Sequence, residues 1–281
     1  MRSRSPKRLT SRSTAWNDRA QRRSGCGRDW ARSGFGNLGV MMIKPATALG
    51  VAATTAVVAG WAAPALLRAR VLRATACPEL AGVGRAGSVA LTFDDGPDPK
   101  GTPAVLDALE RLGWSATFFM LGEQVTRYPQ VAAAVVAAGH EVAVHGFTHR
   151  NHLARGPADV HDDVARAAEV VTTATGVRPT WFRPPYGVLT LGSLIAARRA
   201  GLRPVLWTAW GRDWEARSPA QVADTVGSQL RPGGTVLLHD SDCVAQVAGS
   251  WRSTVQALPR LAARANQLGC TVGTLRDHLA K

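Results

Sequence analysis

The stretch SVALTFDDGP, residues 88–97, determines how the rest of the chain is interpreted. Its first six residues are apolar, small or β-branched and too few for a stable helix, so they predict a strand. Asp94 and Asp95 follow that strand, and Gly96 and Pro97 then turn the chain. Adjacent carboxylates at a strand end point to different sides, so one can bind a metal ion while the other stays free as a base. By itself the stretch equally fits an Asx turn, so the surrounding sequence has to decide.

Short β-branched or aromatic runs alternate with amphipathic stretches from residue 88 onward. The runs predict strands over 88–93, 116–121, 141–145, 180–183, 204–208, 235–239 and 270–275. Helices are predicted over 103–112, 124–138, 158–175, 191–200, 219–229 and 253–268, and four of them are followed by a glycine suited to a left-handed C-cap. This alternation predicts βαβ units and a parallel sheet, either open or closed into a barrel.

The third predicted strand ends in HGFTH, residues 145–149, and an HxxxH pair is a common spacing for metal ligands. Because Gly146 follows the strand directly, we expect a loop or a single turn here. His145 and His149, combined with a carboxylate from the first strand, make a His₂Asp set. Such a set suits zinc with one coordination position left open for water.

Three more polar motifs follow later strands, where parallel α/β folds place their chemistry. RPPYG begins at Arg183, and its rigid turn would hold a guanidinium near a carboxylate and present a backbone N–H. WGRDW begins at Trp210, and LLHD ends at Asp240. Each motif alone is typical of ordinary structure, but all of them at successive strand ends indicate one active site.

In this order the motifs TFDDGP, HxxxH, RPPYG, DW and LLH resemble those of the polysaccharide deacetylases, the NodB-like carbohydrate esterases of family four. The resemblance runs from about residue 88 to residue 274. It implies an α/β fold, a distorted (β/α) barrel with about seven parallel strands and a groove at their C-terminal ends. Residues 88–281 would be the catalytic domain.

The resemblance also implies roles for the residues of the first motifs. Asp94 matches the catalytic base of the family, and Arg183 matches the residue that orients it. Asp95, His145 and His149 match the metal ligands, usually of Zn²⁺, with Co²⁺ or Ni²⁺ as alternatives.

The later motifs supply the acid and the substrate contacts by the same resemblance. His239 matches the catalytic acid and Asp213 its partner. The backbone N–H of Tyr186 would help to hold the oxyanion, while Trp214 and Leu237 would form the small apolar pocket for the acetyl methyl group.

Two positions depart from the family pattern. Gly146 stands where the family usually has Ser or Thr, so we expect a looser ligand loop, and Trp210 stands where an Asp is usual, so we expect an altered groove wall. The resulting function is metal-dependent removal of N-acetyl groups from peptidoglycan or a chitin-like polymer. An O-acetyl esterase acting on acetylated xylan and a catalytically silent carbohydrate-binding protein are the alternatives.

The net charge of +14 lies mostly outside this domain. Residues 1–80 hold 14 basic and three acidic side chains, whereas residues 81–281 hold 20 and 17. We therefore expect no nucleic-acid partner, and residues 1–44 are predicted to be a basic, disordered tail or an untranslated extension before Met41 or Met42.

Residues 45–67 carry no charge and are long enough to cross a bilayer, so they are predicted to be a secretory signal or a membrane anchor. Either role would place the domain outside the cytoplasm, secreted or anchored, with residues 68–87 as a linker. Four cysteines fit no metal motif. In a parallel barrel Cys77 and Cys270 would lie at the same end, and whether they form a disulfide is left open.

Overall fold

The computed structural model describes residues 45–215 and 217–280. The predicted tail, residues 1–44, lies outside this part of the chain. The strands are β1 Ser88–Asp94, β2 Thr117–Met120, β3 Glu141–Val144, β4 Trp181–Phe182, β5 Arg203–Pro204, β6 Ala209–Trp210, β7 Thr235–His239 and β8 Thr271–Gly273. The helices are α1 Pro45–Ala62, α2 Arg70–Ala76, α3 Gly101–Leu112, α4 Gly122–Arg127, α5 Pro129–Ala137, α6 Pro157–Thr175, α7 Leu191–Arg199, α8 Pro219–Gln229, α9 Trp251–Gln267 and α10 Leu275–Leu279.

All the pairings between these strands are parallel, in the order β5-β4-β3-β2-β1-β7-β6, with β8 paired to the start of β1. The fifth predicted strand, 204–208, is instead two short strands at opposite edges of the sheet. Residues 205–208 carry the chain from one edge to the other, and we call them the seam. Val205 N donates to Phe182 O and Thr208 N to Thr235 O, so the seam is bonded on both sides. The predicted distorted parallel barrel is confirmed.

Strand alternation determines which side chains enter the barrel. On β1, Val89, Leu91 and Phe93 pack outward in the main core beneath the helices, whereas Ala90 packs inward. Phe119, Ala143, Trp181, Val205 and Leu275 join Ala90 in an apolar floor. Asp94, at the end of β1, therefore lies inside the barrel above that floor.

One predicted helix is divided in the structure for a local reason. The predicted helix 124–138 is broken into α4 and α5 at Tyr128, because Pro129 begins a new helix and disfavours helical geometry in the residue before it. The glycines after four helices, Gly139, Gly176, Gly201 and Gly269, have positive φ, as the C-cap pattern predicted.

The residues before the barrel pack against the seam. Arg73 on α2 is buried and donates through Nη2 to Trp207 O at 2.6 Å, and Leu80 O accepts from Leu206 N at 2.7 Å. The predicted linker 68–87 thus contains a helix and contacts the barrel.

None of the described helices is both long enough and apolar enough to cross a membrane. The signal or anchor role of residues 45–67 stays a prediction. Cys77, Cys243 and Cys270 are free, so the disulfide left open between Cys77 and Cys270 is not formed.

Candidate active site

A cavity of about 310 Å³ opens at the C-terminal ends of the strands, and we call it the main cavity. Eight of the ten predicted site residues line it: Asp94, Asp95, His145, His149, Tyr186, Trp214, Leu237 and His239. The other two lie directly behind this lining, since Arg183 contacts Asp94 and Asp213 contacts His239. The structure thus brings all ten together.

Asp94 forms a buried ion pair with Arg183. Arg183 Nη1 donates to Asp94 Oδ1 at 2.6 Å and to Thr92 Oγ1 at 2.9 Å, and its guanidinium lies 4.0 Å from the ring centre of Phe119. Nη2 donates to Leu206 O at 2.8 Å and Nε donates to Val205 O at 3.3 Å, both in the seam. Burial lowers the pKa of Arg183, while the charge of Asp94 opposes that shift. Because four acceptors fix the guanidinium, the position of the carboxylate is fixed as well.

Asp95, His145 and His149 form a cluster whose ligand atoms all lie within 4.8 Å of one another. His145 Nδ1 lies 2.8 Å from Arg183 O, and a carbonyl only accepts, so Nδ1 carries the proton and Nε2 a lone pair. That lone pair lies 3.3 Å from Asp95 Oδ1, so two acceptors face each other. A cation stabilises such an arrangement.

The protonation and bonding of the cluster also fit a metal. Asp95 Oδ1, which lies 3.3 Å from His145 Nε2 and 3.5 Å from His149 Nε2, is buried without a hydrogen-bond partner. Burial lowers the pKa of His149 to about 4, so its imidazole is neutral at pH 7, as a ligand must be.

Backbone conformation directs two of these groups into the cavity. Asp95 has φ 77° and Tyr186 has φ 60°, which are rare values for residues with a side chain. The left-handed step at Asp95 turns its carboxylate toward the histidines while Asp94 faces Arg183. Unusual backbone of this kind is frequently found at functional sites.

A network on α6 holds the loop that carries the two histidines. Asp163 accepts from Phe147 N at 2.7 Å and from Thr148 Oγ1 at 2.8 Å, and Arg155 Nη1 donates to it at 2.6 Å. A Cβ on Gly146, which has φ 95°, would lie 2.9 Å from Asp163 Oδ2. The carboxylate therefore occupies the space beside the glycine and braces the loop, and these contacts do not indicate the looser loop that we expected.

His239 and Asp213 form the opposite side of the main cavity. Asp213 Oδ1 lies 2.9 Å from His239 Nδ1, and Asp213 Oδ2 accepts from His239 N at 2.7 Å and from Thr254 Oγ1 at 2.6 Å. Burial alone would lower the pKa of His239. The charge and hydrogen bond of Asp213, aided by the charges of Asp95 and Asp94, raise it to about 9, so the imidazole is protonated at pH 7.

Aromatic side chains form one wall of the main cavity. Trp214 lies edge-on to His239 with ring centres 5.2 Å apart. Trp210 lies between Trp214 and Trp207, with centres 4.9 and 5.7 Å away. The residue that departs from the family pattern, Trp210, is thus part of the wall of the cavity. Leu237 completes the apolar lining beside it.

Sequence reasoning missed three side chains that hold the site residues: Thr92, Asp163 and Thr254. Asp163 left a readable signal, because it falls on the face of α6 that also buries Val160 and Ala167. An acid on an apolar helix face predicts a buried partner. Thr254 lies 41 residues from Asp213, and no spacing pattern connects them.

Comparison with known sequences gives a consistent result. The family model for polysaccharide deacetylases matches residues 81–205. A chitooligosaccharide deacetylase of Bradyrhizobium sp. (strain ANU 289) is 42% identical over 154 residues, covering 54% of this chain and 70% of that protein. A chitooligosaccharide deacetylase of Sinorhizobium fredii is 39% identical over 197 residues, covering 68% of this chain and 91% of that protein.

A solved structure is similar as well. The Bc1960 peptidoglycan N-acetylglucosamine deacetylase, in complex with 4-naphthalen-1-yl-N-oxidanyl-benzamide, superposes with a TM-score of 0.66 and 28% identity. The match covers 70% of this chain and 90% of that one.

Proposed function

The chain belongs to the polysaccharide deacetylase family, and on that premise we propose that it removes N-acetyl groups from an N-acetylglucosamine polymer outside the cytoplasm. It is a hydrolase acting on N-acetyl amides. Two of its relatives are named for chitooligosaccharides and for peptidoglycan, and both of these glycans contain N-acetylglucosamine units. Polymers of this unit lie in cell walls and extracellular material, and the predicted signal or anchor at residues 45–67 is consistent with export.

The proposal includes a divalent metal ion, zinc or alternatively cobalt or nickel, held by Asp95, His145 and His149. The short distances between their ligand atoms and the unpartnered, buried Asp95 Oδ1 support this assignment. Two histidines and one carboxylate leave a coordination position open. When bound, such an ion supplies Lewis acidity toward the acetyl carbonyl and lowers the pKa of water from 15.7 toward about 7.

Asp94 is proposed as the base. Its Oδ1 is occupied by Arg183, so Oδ2 is the oxygen that remains to take a proton. That oxygen lies 3.8 Å from His145 Nε2, beside the ligand cluster. A water molecule in the main cavity attacks the acetyl carbon as Asp94 takes its proton, and the Tyr186 N–H donates to the carbonyl oxygen as it becomes negative.

His239 is proposed as the acid. An amine leaves only when protonated, and His239 is protonated because Asp213 stabilises its imidazolium. Its Nε2 donates the proton to the glucosamine nitrogen as the carbon–nitrogen bond breaks, giving acetate and a free amine. Trp214 and Leu237 would enclose the methyl group of the acetyl during the reaction.

One observation carries the proposal: a buried carboxylate–guanidinium pair and a buried imidazole–carboxylate pair face the same His₂Asp cluster from two sides. To test it, the full chain would be purified with zinc and assayed for acetate release from N-acetylglucosamine oligomers, peptidoglycan and acetylated xylan. We expect release from the first two, loss of release with a chelator, and recovery with added metal.

The other results would each have a definite meaning. No acetate from any substrate, with one metal ion bound per chain, would contradict the proposal and favour a silent glycan-binding protein. Release from acetylated xylan alone would favour the esterase. Asp107→Asn serves as a control for purification and metal loading. Its activity should equal that of the parent, since this exposed residue lies on α3 away from the main cavity.

A further inference from the structure

Arg73 is a buried arginine on α2 that precedes the stretch matched by the family model, residues 81–205. Its Nη2 donates to Trp207 O at 2.6 Å, and its Nε donates to the same oxygen at 3.2 Å. Its Nη1 donates to Arg68 O at 2.7 Å. Hydrogen bonds from a charged, planar guanidinium are strong and directional. Arg73 therefore fixes the backbone of Trp207 from outside the matched stretch.

Two arginines hold successive carbonyl oxygens of the seam. Arg183 accounts for residues 205–206, since it donates to both of their carbonyl oxygens, and Arg73 accounts for Trp207. The same guanidinium of Arg183 also holds Asp94. Arg73 thus acts on the segment that anchors the arginine behind the proposed base.

The ring of Trp207 packs on the turn that carries the proposed oxyanion donor. A Cβ on Gly187 would lie 2.6 Å from Trp207 Cη2 and 3.0 Å from Cζ3, so the ring occupies the space beside this glycine. Gly187 has φ 66° and Tyr186 has φ 60°, so two successive left-handed residues form the turn. A residue with a side chain keeps such a conformation only where its surroundings hold it. The ring of Trp207 supplies part of that support, and the turn in its place directs the Tyr186 N–H.

We propose that Arg73 is a positioning residue for the oxyanion: it fixes Trp207, whose ring holds the left-handed turn that aims the Tyr186 N–H into the main cavity. This inference rests on the proposed function, in which that N–H donates to the acetyl oxygen as it becomes negative. A donor aimed at developing charge acts on the transition state more than on the bound substrate. Loss of the Arg73 contacts therefore lowers kcat and leaves KM nearly unchanged.

The first test compares two substitutions of Arg73 in the full chain loaded with zinc. Arg73→Met removes the donors and keeps the length of the side chain, whereas Arg73→Lys keeps the charge and a donor. Acetate release would be measured with an N-acetylglucosamine tetramer. Since complete loss of one oxyanion donor costs about 10²–10³ in rate, we expect kcat to fall about thirtyfold for Arg73→Met and less than about fivefold for Arg73→Lys. KM should stay within about twofold of the parent value in both variants. Arg260→Met, at an exposed arginine on α9, is the matched control and should behave as the parent.

A second measurement separates positioning from a general loosening of the fold. The probe is a methylphosphonamidate of the same tetramer, in which a tetrahedral, negatively charged phosphorus group replaces the acetyl carbonyl. Arg73→Met should weaken its Kd about thirtyfold, in parallel with kcat/KM, because such a probe resembles the transition state. Zinc affinity and the alkaline limb of kcat should match those of the parent. Trp207→Phe leaves the carbonyl that Arg73 holds but shortens the ring at Gly187, so it should give the same pattern.

The outcomes distinguish this inference from the proposed function. If the parent chain releases no acetate from any glycan, the proposed function fails. If the parent is active and both Arg73 variants match Arg260→Met in kcat, the positioning role is contradicted. An equal loss of zinc affinity and of probe affinity would show that Arg73 only stabilises the fold. A higher KM with unchanged kcat in Trp207→Phe would show that the ring binds substrate instead. If Arg73→Met does not fold, Arg73→Lys and Trp207→Phe decide by the same criteria.

Discussion

Two buried ion pairs border the main cavity, and they are built in opposite senses. In the first, the carboxylate of Asp94 faces the cavity and the guanidinium of Arg183 lies behind it. In the second, the imidazole of His239 faces the cavity and the carboxylate of Asp213 stands behind it. Each rear partner is fixed by further hydrogen bonds: Arg183 donates to Thr92 Oγ1 and to the seam, and Asp213 accepts from Thr254 Oγ1.

This arrangement is what the proposed roles require of a base and an acid that act in one cavity at the same pH. The rear charge has the sign that stabilises the ionised form of the group in front. A carboxylate before a cation is ready to accept a proton, and an imidazolium before an anion is ready to donate one. Four substitutions test the two pairs and the groups that hold the site around them.

Asp94→Asn should have the largest effect. The amide keeps the shape and can still accept from Arg183, but it cannot take a proton, so we expect kcat to fall about 10³-fold. Metal binding should be unchanged, since Asp94 is not in the ligand cluster. Acetate release and metal content measure the two effects, and activity within tenfold of the parent would show that Asp94 is not the base.

Asp213→Asn breaks the second pair. Without the rear charge, burial lowers the pKa of His239 from about 9, so the imidazole loses its proton at lower pH. We expect kcat to fall about 10²-fold and its alkaline limb to move to lower pH, because the acid must be protonated to act. Profiles of kcat against pH test this, with Asp224→Asn on the exposed face of α8 as control. An unmoved alkaline limb would mean that Asp213 does not set the charge of His239.

Asp163→Asn affects the ligand loop but neither pair. The amide keeps one acceptor for the loop and loses the pairing with Arg155, so we expect zinc affinity to weaken about tenfold, as for other groups that orient ligands. The alkaline limb of kcat should stay in place at saturating zinc. Asp162→Asn changes the exposed neighbour and should leave zinc affinity unaltered; equal affinities in all three proteins would contradict the brace.

Thr254→Val should have the smallest effect. It removes one of the three hydrogen bonds to Asp213, worth about 1 kcal/mol, so we expect a loss of about fivefold in kcat. Ser253→Ala is the neighbouring control, because the Ser253 hydroxyl donates to Arg217 O and not to Asp213. If Thr254→Val lowers kcat no more than Ser253→Ala does, the threonine has no part in positioning Asp213.

The sequence was sufficient to predict the alternation of strands and helices and the gathering of polar motifs at strand ends. Both follow from local patterns, since period-two strands place Asp94 inside and turn residues mark each strand end. The fold inferred from them was confirmed. The roles of the site residues stay predictions, although the structure brings these residues together.

What the sequence did not predict depends on long-range packing. The split of the fifth strand arises because residues 205–208 must reach both β4 and β7, which no local pattern encodes. Thr254 reaches the site from a segment without a motif. The packing of α2 on the seam was missed because a helix of seven residues is too short to show a periodic pattern.

The contacts of Arg183 bear on which residues the family can lose during evolution. The same guanidinium that holds Asp94 donates through Nε to Val205 O and through Nη2 to Leu206 O, so it connects the end of β1 to the seam. We therefore expect a descendant that lost the proposed reaction to retain this arginine for packing inside the barrel. Retention of the arginine in a relative would then say little about the reaction, whereas loss of Asp94, the proposed base, would argue against it.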